Sequence, residues 1–374
     1  MVDQKKQMRL PNLPTEVIRE ILVWLPVKSL CRFRCVSNTW LSLISESHFV
    51  NSHFNKAFEH EHVFYQRRRV LIRDAWLCRL FSLNLDECLN HTNIDNVGDD
   101  VLVVPTQLKR RRFTKFVLYC NGLLLLKSYY VFYLLNPATK ETKIVPNPPE
   151  LYMWSNELYG FGFDLSTPPD YKVVQGEFFE FDLGFSVYSL RTGSWRAIEK
   201  RYPYESLQPG MQGRLLNGSI HWLVCRNHND VPSMVLLSFV LADEEVQEIP
   251  LPPDFLADFN IEDETYFLDV FQECLCVGKN DAFEFWVMKE YGVMKSWTKI
   301  SISLPCSERL HSGFMKKDHH LLLDLHQHHL VMYNFDDGSS RNLSLGKISE
   351  VDFVGCYLES LVSPNHYHMT VGEH

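Results

Sequence analysis

Hydrophobic side chains in the first fifty residues recur at intervals of three and four, the period of amphipathic helices. A first helix is predicted from Pro14 to Leu25, because proline fits the first turn and Pro26 stops the helix. A second short helix follows, and Ser37 is suited to cap a third, which carries Trp40. Three short helices enclose little core by themselves, so their apolar surplus needs a partner in this chain or in another protein.

Beyond residue 60 the chain changes to short apolar segments separated by polar turns, which is the pattern of β-strands. One strand type recurs at steps of 46 to 56 residues and begins near Val131, Val187, Leu236, Phe285 and Val331. Four strands fit into each step, a period typical of propeller blades. Residues 63–104 are predicted to supply a further blade, and 353–358 to close the ring against it. We therefore predict an all-β domain that is a six-bladed β-propeller, with five or seven blades and a two-sheet sandwich as alternatives.

The composition fits a folded chain rich in β structure, since 45% of its 374 residues are hydrophobic and 13% aromatic. The net charge of −9 is uneven, because residues 1–50 contain seven lysines and arginines against four acidic residues. The acidic remainder disfavours nucleic acid as a partner and favours a basic protein, although it would also serve solubility alone. Two basic runs, 67–69 and 109–112, are interpreted as solvated turns and not as nucleic-acid sites.

The ten cysteines form no Cys-x-x-Cys pair, and no apolar signal segment follows Met1. This usage predicts free thiols in a reducing compartment, the cytoplasm first and the nucleus second. One apolar stretch, 116–135, has the length of a membrane span, but Asn121-Gly122 and Lys127 interrupt it. It is predicted to form two short strands, and no membrane association is expected.

The sequence contains no motif for catalysis or for phosphate binding: there is no Gly-x-Ser-x-Gly, no Gly-Lys-Ser/Thr loop and no His-Glu-x-x-His. Gly160 and Gly162 lie in a strand pattern, where glycine permits close packing, and lack the helix of a dinucleotide loop. The histidine cluster at 319–329 is interpreted as a hairpin tip, with a metal site as the alternative. We predict no enzyme, no cofactor and no metal.

Three segments of the head show a recognisable order, namely Leu13-Pro14, Leu25-Pro26-Val27-Lys28-Ser29-Leu30 and Arg32-Phe33-Arg34-Cys35-Val36-Ser37. In order and spacing they resemble the F-box, especially that of plant proteins. The resemblance implies that the head, residues 9–50, binds a Skp-type adaptor and through it a cullin and a RING subunit. The residues expected in this face or in the core beneath it are Leu13, Pro14, Val17, Ile18, Ile21, Leu22, Leu25, Pro26, Leu30, Phe33, Val36 and Trp40. Roughly half of them are expected to be internal core.

The body contains the runs Leu158-Tyr159-Gly160-Phe161-Gly162-Phe163-Asp164 and Asn217-Gly218-Ser219-Ile220-His221-Trp222-Leu223. These runs resemble the plant F-box-associated domain, some members of which are kelch-type, and in general style the S-locus F-box branch. The resemblance implies a substrate-recognition domain over residues 60–365.

Together the two resemblances imply the substrate-recognition subunit of a Skp–cullin–F-box ubiquitin ligase, a non-catalytic subunit that recruits a protein client for degradation. The S-locus resemblance implies a basic S-ribonuclease as client, in pollen self-incompatibility. Loops on the rigid β domain are expected to bind the client. The acidic residues that would suit a basic client are Asp258, Glu262, Asp263 and Glu264. The alternative is a stand-alone propeller that binds a protein or a glycan, the latter through aromatics such as Tyr152 and Trp154.

Overall fold

The computed structural model describes the chain from residue 13 to residue 365, with gaps. The described residues are 13–74, 79–84, 101–102, 116–128, 131–148, 157–179, 182–207, 211–228, 231–257, 266–279, 284–301, 310–313, 320–324, 330–334, 337–343 and 351–365. The chain begins with helices and continues with strands, so the predicted order of a helical head and an all-β body is confirmed.

Among the described residues, the head contains five α-helices, and a sixth short α-helix lies within the β domain. They are α1 (Thr15–Leu22), α2 (Val27–Phe33), α3 (Asn38–Ser45), α4 (Ser47–Glu59), α5 (Glu61–Arg67) and α6 (Pro253–Ala257). The predicted cap of α3 is confirmed, because the Ser37 side chain accepts a hydrogen bond from the Trp40 backbone N–H at 3.3 Å. Helix α1 ends at Leu22, earlier than predicted. The residue before a proline avoids the helical conformation, and the chain reaches Pro26 through short turns.

The β domain consists of strands that are mostly four to ten residues long. They are β1 (Arg68–Asp74), β2 (Arg79–Asn84), β3 (Val101–Leu102), β4 (Phe116–Cys120), β5 (Leu123–Ser128), β6 (Val131–Asn136), β7 (Glu141–Val145), β8 (Glu157–Asp164), β9 (Asp170–Phe179), β10 (Asp182–Ser189), β11 (Ser194–Tyr202), β12 (Met211–Gln212), β13 (Arg214–Leu216), β14 (Ser219–His228), β15 (Val231–Val240), β16 (Glu245–Ile249), β17 (Tyr266–Phe271), β18 (Cys274–Lys279), β19 (Glu284–Met288), β20 (Trp297–Ser301), β21 (Leu310–Gly313), β22 (His320–Asp324), β23 (Leu330–Tyr333), β24 (Ser340–Leu343) and β25 (Val351–Leu358).

The described strands form six sheets, the number of blades that the sequence predicts. Their strand orders are β25-β1-β2-β3, β4-β5-β6-β7, β11-β10-β9-β8-β12, β13-β14-β15-β16, β17-β18-β19-β20 and β21-β22-β23-β24. Each sheet after the first consists mainly of antiparallel neighbours in chain order, so the recurring strand pattern reflects one sheet per repeat.

The sheets are arranged in a ring around their first strands. Strand β4 contacts β8, β8 contacts β13, β13 contacts β17, β17 contacts β21, β21 contacts β25, and β25 contacts β4. Strand β25 also pairs with β1 in antiparallel fashion, with Tyr357 opposite Arg69 and Cys356 opposite Val70. The last of the described strands thus completes the first sheet, as the sequence predicts, and the body is a closed propeller.

Two details of the first sheet differ from the sequence prediction. Val63 and Phe64 lie in helix α5 and not in a strand, because they pack with Ala57 of α4 and with Leu358 in a separate small core. The basic run 67–69 is not a solvated turn, since Arg67 is 1% exposed and lies under the head. The stretch 116–135 contains β4, β5 and most of β6, so it is built of strands as predicted, but of three and not two.

A repeated hydrogen bond joins consecutive sheets at their outer edges. Near the start of β11, Trp195 donates its indole N–H to the carbonyl of Pro146, which follows β7 of the preceding sheet. At the start of β20, Trp297 donates in the same way to Pro250, which follows β16, at 2.8 Å. The outermost strand of one sheet is therefore hydrogen-bonded to the segment that follows the outermost strand of the preceding sheet.

The largest fully buried side chain is that of Trp222 on β14, which fills the space between the third and fourth sheets. Its indole N–H donates to the Tyr159 carbonyl at 3.0 Å. A side chain at Gly160 or Gly213 would place Cβ within 3.0 Å of the indole ring or of Ile220. These two positions require glycine because the neighbouring backbone approaches the ring closely.

Arg67, the last residue of α5, holds the helices of the head together. The guanidinium of Arg67 donates to the carbonyls of Val23, at 2.8 Å, Leu25, at 3.3 Å, and His53. Burial lowers the pKa of Arg67 to about 10, so it stays charged at neutral pH. From the far end of the chain, Leu361 is 1% exposed and belongs to the apolar core of the head. The head is therefore built from both ends of the chain.

Two buried histidines are expected to make stability depend on pH. Burial lowers the pKa of His53 to about 3, with the Arg67 charge adding to the effect, and lowers the pKa of His221 to about 4. In the unfolded chain a histidine has a pKa of about 6.5, so below that pH the unfolded chain binds protons that the folded chain does not. The stability that the two neutral histidines contribute is therefore complete above pH 6.5 and decreases as the pH falls. At pH 5, each histidine is expected to have lowered the free energy of unfolding by about 2 kcal/mol.

Urea unfolding at pH 7.5 and pH 5 measures this loss. The His221→Gln variant is expected to show a smaller difference between the two pH values than the unaltered chain. A matched control is His48→Gln, because His48 is exposed. Equal pH dependence in the His221 variant and in the unaltered chain would contradict the assignment.

Candidate adaptor-binding surface

Helix α1 has one apolar face toward the core of the head and a second one toward solvent. Leu22 is 2% exposed and packs in the core, and Ile18 lies half-buried against it. Val17 is 39% exposed and Ile21 is 51% exposed, one helical turn apart on the other side. A salt bridge of 2.6 Å from Arg19 to Glu46 ties the helix to the segment between α3 and α4. The exposed apolar row is therefore displayed on a helix that the rest of the head holds in place.

The twelve residues predicted for the adaptor face or its core divide between these two environments. Leu22 and Leu30 are fully buried in the head. Half-buried ones are Ile18, Leu25, Phe33 and Trp40. Exposed ones are Leu13, Pro14, Val17, Ile21, Pro26 and Val36. Half of the set is thus displayed and half supports it, which is the division expected of a docking surface on a small core.

A second exposed apolar group follows helix α2. Val36 is 67% exposed, and Phe33 and Trp40 pack edge to face with ring centroids 5.4 Å apart. We use the name apolar head surface for this group and the row on α1 taken together. Its residues are Leu13, Val17, Ile21, Val36 and the exposed parts of Phe33 and Trp40. Large apolar side chains in water are unfavourable, so the surface is suited to a protein partner.

Three exposed apolar residues among those described in the head were missed in the sequence. Trp24 is 40% exposed; the Lys56 ammonium lies 4.5 Å from the centre of its ring, and His60 lies 4.7 Å away. The helical period would have found Trp24, since it follows Val17 and Ile21 at the spacing of the same face. Leu41 is 45% exposed on α3 and Phe58 is 51% exposed on α4, and both line a cavity between the head and the propeller.

The described turns of the propeller distinguish an end beside the head from an opposite end. The turns that follow the first strand of each sheet, such as 121–122 and 217–218, lie beside the head. Because the strands are antiparallel, the connections between sheets lie at the opposite end. Asp258, Glu262, Asp263 and Glu264 are in one such connection, but all four lie outside the described residues.

At this opposite end, the described residues include one polar group tied into the scaffold. The Tyr204 hydroxyl donates to Glu248 at 2.5 Å, and Arg226 forms a salt bridge with the same carboxylate. The backbone of Glu205 pairs with that of Cys225, which holds the loop 203–207 against β14. A loop fixed in this way presents its side chains in a defined geometry, as recognition surfaces require.

The described cysteines and acidic residues show the chemistry of a packed interior. Seven described cysteines are free thiols, and burial raises the pKa of Cys120, Cys276 and Cys356. Within the described ranges, no group of three histidine, cysteine or acidic side chains is placed to hold a metal ion. None of the helices described is long and apolar enough to cross a membrane.

Comparison with known families assigns both parts of the chain. Residues 10–52 match the F-box domain, and residues 73–364 match the F-box associated beta propeller domain. The chain is 29% identical over 369 residues to the F-box protein CPR1 of Arabidopsis thaliana, covering 89% of this chain and 84% of that protein. It is 28% identical over 368 residues to the F-box/kelch-repeat protein At3g23880 of the same plant, covering 95% and 96%.

The helical head and the ring of sheets coincide with these two matches, and the second match alone spans more than half of the chain. The apolar head surface lies within the first match. On this evidence the chain belongs to the F-box proteins that carry an F-box associated beta propeller domain.

Proposed function

We propose that this chain is the substrate-recognition subunit of a Skp–cullin–F-box ubiquitin ligase. The observation that carries the proposal is the apolar head surface, whose side chains are exposed although the core beneath them is well packed. A Skp-type adaptor that covers this surface would bring a cullin and a RING subunit with it. Free cysteines suit a reducing compartment, so the proposal places the protein in the cytoplasm, with the nucleus as the second compartment.

The contribution of this chain to ubiquitin transfer would be proximity. The head binds the adaptor, the far end of the propeller binds a client, and the ligase then holds client lysines near a charged conjugating enzyme. Leu361, which follows β25, packs in the core of the head, and Arg34 of the head lies 3.8 Å from Glu141 of β7, so the two binding surfaces would keep one relative orientation. A rigid link of this kind raises the local concentration of the client more than a flexible one of the same length.

We further propose that the client is a protein, and a basic S-ribonuclease is the first to test. The acidic charge of the body, together with the acidic connection 258–264, supports a basic partner. Binding to a panel of S-ribonucleases, measured at low and at high salt, should be strongest at low salt. The chain should bind no glycan on a glycan array. Binding to a glycan would instead support the alternative function, a stand-alone glycan-binding module.

The Ile21→Asp substitution is expected to abolish adaptor binding while leaving the fold intact. Ile21 is 51% exposed, so aspartate is tolerated in the free chain, but in the complex it would bury a charge against apolar side chains. We expect the dissociation constant for a purified Skp-type adaptor to rise about 100-fold, which isothermal titration calorimetry measures.

The matched control is Leu256→Asp, an equally polar change at a residue that is 38% exposed on α6, in the propeller. It should leave adaptor binding unchanged. If the two variants bind the adaptor equally well, the apolar head surface is not the docking site. If the unaltered chain does not bind the adaptor, the ligase proposal is wrong, and the chain is a stand-alone binding module.

A further inference from the structure

A central channel runs along the axis of the propeller, because the sheets are arranged in a ring around their innermost strands. Three polar side chains on these strands are accessible to water. Tyr119 on β4 is 51% exposed, and the side chains of Arg214 on β13 and Asp269 on β17 are 33% and 16% exposed. The sheets surround the innermost strands on their other sides, so water reaches these side chains through the channel.

The three side chains face one another across the channel. The Tyr119 ring lies against the innermost strand of the first sheet, since a Cβ at Gly355 of β25 would be 3.6 Å from it. Arg214 and Asp269 belong to the fourth and fifth sheets, on the other side of the ring, and their charges nevertheless act on the Tyr119 hydroxyl. Burial raises the pKa of Tyr119, although its ring is half exposed. A side chain that is surrounded by protein and still meets water lies in an enclosed, water-filled space. We call it the channel site, which consists of Tyr119, Arg214 and Asp269.

Arg214 has accessible hydrogen-bond donors that the chain does not use. Its buried Nε lies 3.3 Å from Asp269 Oδ1, which also accepts from the Val270 backbone N–H at 2.7 Å. The described residues provide no hydrogen-bond acceptor for the two terminal amino groups of Arg214. Nε is the buried one of these donors, so the terminal amino groups meet the water of the channel. One edge of the guanidinium is thus held by Asp269, and the other is open to a ligand.

The charges at the channel site favour a single negative charge. Those of Arg68, Asp269 and Arg214, which act on the Tyr119 hydroxyl, sum to one positive charge, although the whole chain has a net charge of −9. The two oxygens of a carboxylate match the two terminal amino groups of an arginine, and the charge strengthens both hydrogen bonds. The Tyr119 hydroxyl can donate a third one.

We propose that the channel site binds a small organic carboxylate, which accepts two hydrogen bonds from Arg214 and one from Tyr119. Such a ligand would connect the second sheet to the fourth across the ring. It would therefore stabilise the closed propeller, because it binds the folded chain and not the unfolded one. This function goes beyond client recruitment and does not depend on it.

The experiment is a fluorine NMR titration of the full chain with 4-fluorobenzoate, and with 4-fluorobenzamide as its uncharged counterpart of similar shape. We expect 4-fluorobenzoate to bind saturably at one molecule per chain, and the amide to bind at least about tenfold more weakly. Arg214→Met should raise the dissociation constant of 4-fluorobenzoate more than about tenfold, because the site loses both terminal donors and a positive charge. Tyr119→Phe should raise it about fivefold, since it removes one hydroxyl from an exposed side chain.

The matched control is Arg196→Met, because Arg196 is 65% exposed on the outer strand β11. This variant should bind 4-fluorobenzoate like the unaltered chain. If Arg214→Met does not fold, because Asp269 has lost its arginine, Tyr119→Phe decides the question. The proposal is overturned if the unaltered chain shows no saturable binding or binds the benzoate and the amide equally well. It is also overturned if the Tyr119 variant, or a folded Arg214 variant, binds the benzoate as tightly as the control.

Discussion

Replacing Arg67 by methionine is expected to lower the free energy of unfolding by about 3 kcal/mol and to weaken adaptor binding at the same time. The guanidinium is 1% exposed and holds the carbonyls of Val23, Leu25 and His53. Methionine fills a similar volume but donates no hydrogen bond, so the carbonyls of Val23 and His53 lose a donor, whereas the Leu25 carbonyl keeps the His53 imidazole at 2.9 Å. Removal of a desolvated charge offsets part of this cost. Each hydrogen bond to the charge contributes about 1.5–3 kcal/mol, however, so the net effect is a loss of stability.

Urea unfolding monitored by circular dichroism, together with adaptor titration, measures both effects. The turn that follows α1 contains Val23 and Leu25, so its loosening should displace the exposed row of the same helix. The matched control is Arg196→Met, since Arg196 is 65% exposed in its salt bridge with Glu244 and should cost less than about 1 kcal/mol. A loss below about 1 kcal/mol for the Arg67 variant would show that the three carbonyls do not depend on it.

Replacing Trp222 by alanine is expected to cost about 4 kcal/mol of stability in the propeller. The indole is 1% exposed, packs with Phe185 and Phe239, and donates to the Tyr159 carbonyl. The glycines on either side cannot fill the space that it leaves, because Gly160 and Gly213 have no side chains to move into it. A cavity would therefore persist between the third and fourth sheets.

Far-UV circular dichroism in urea measures this loss without relying on tryptophan fluorescence. Trp24→Ala is the matched control: Trp24 is 40% exposed, so its removal should cost less than about 1 kcal/mol. If the free energy of unfolding falls no more in the Trp222 variant than in the control, the two sheets have moved together and filled the vacated space.

The propeller could be predicted because each sheet repeats the same alternation of strands and turns. The predicted strand starts near Val131, Phe285 and Val331 fall within one residue of the first residues of β6, β19 and β23, whereas Val187 and Leu236 lie inside β10 and β15. The helical head could be predicted for a similar reason, since the period of three and four identifies a helix without reference to its surroundings.

The environment of individual side chains could not be predicted in the same way. The run 67–69 has the composition of a solvated turn, and only the carbonyls of the distant segment 23–25 make a buried arginine favourable. Likewise, Val17 and Ile18 are equally apolar neighbours on α1, and the fold decides which of them faces water. The acidic residues at 258–264 stay a prediction, because they lie outside the described residues.

Because β25 closes the ring, the propeller cannot complete its fold until this strand has been synthesised. About 290 residues separate β1 from the end of β25, and at about 5–20 residues per second the ribosome needs about 15–60 seconds to supply them. Leu361 follows immediately and completes the core of the head. A chain whose translation stops early therefore has neither a closed propeller nor a finished head. Incomplete copies would be poor competitors for the adaptor, and the ligase would be assembled mainly from full-length chains.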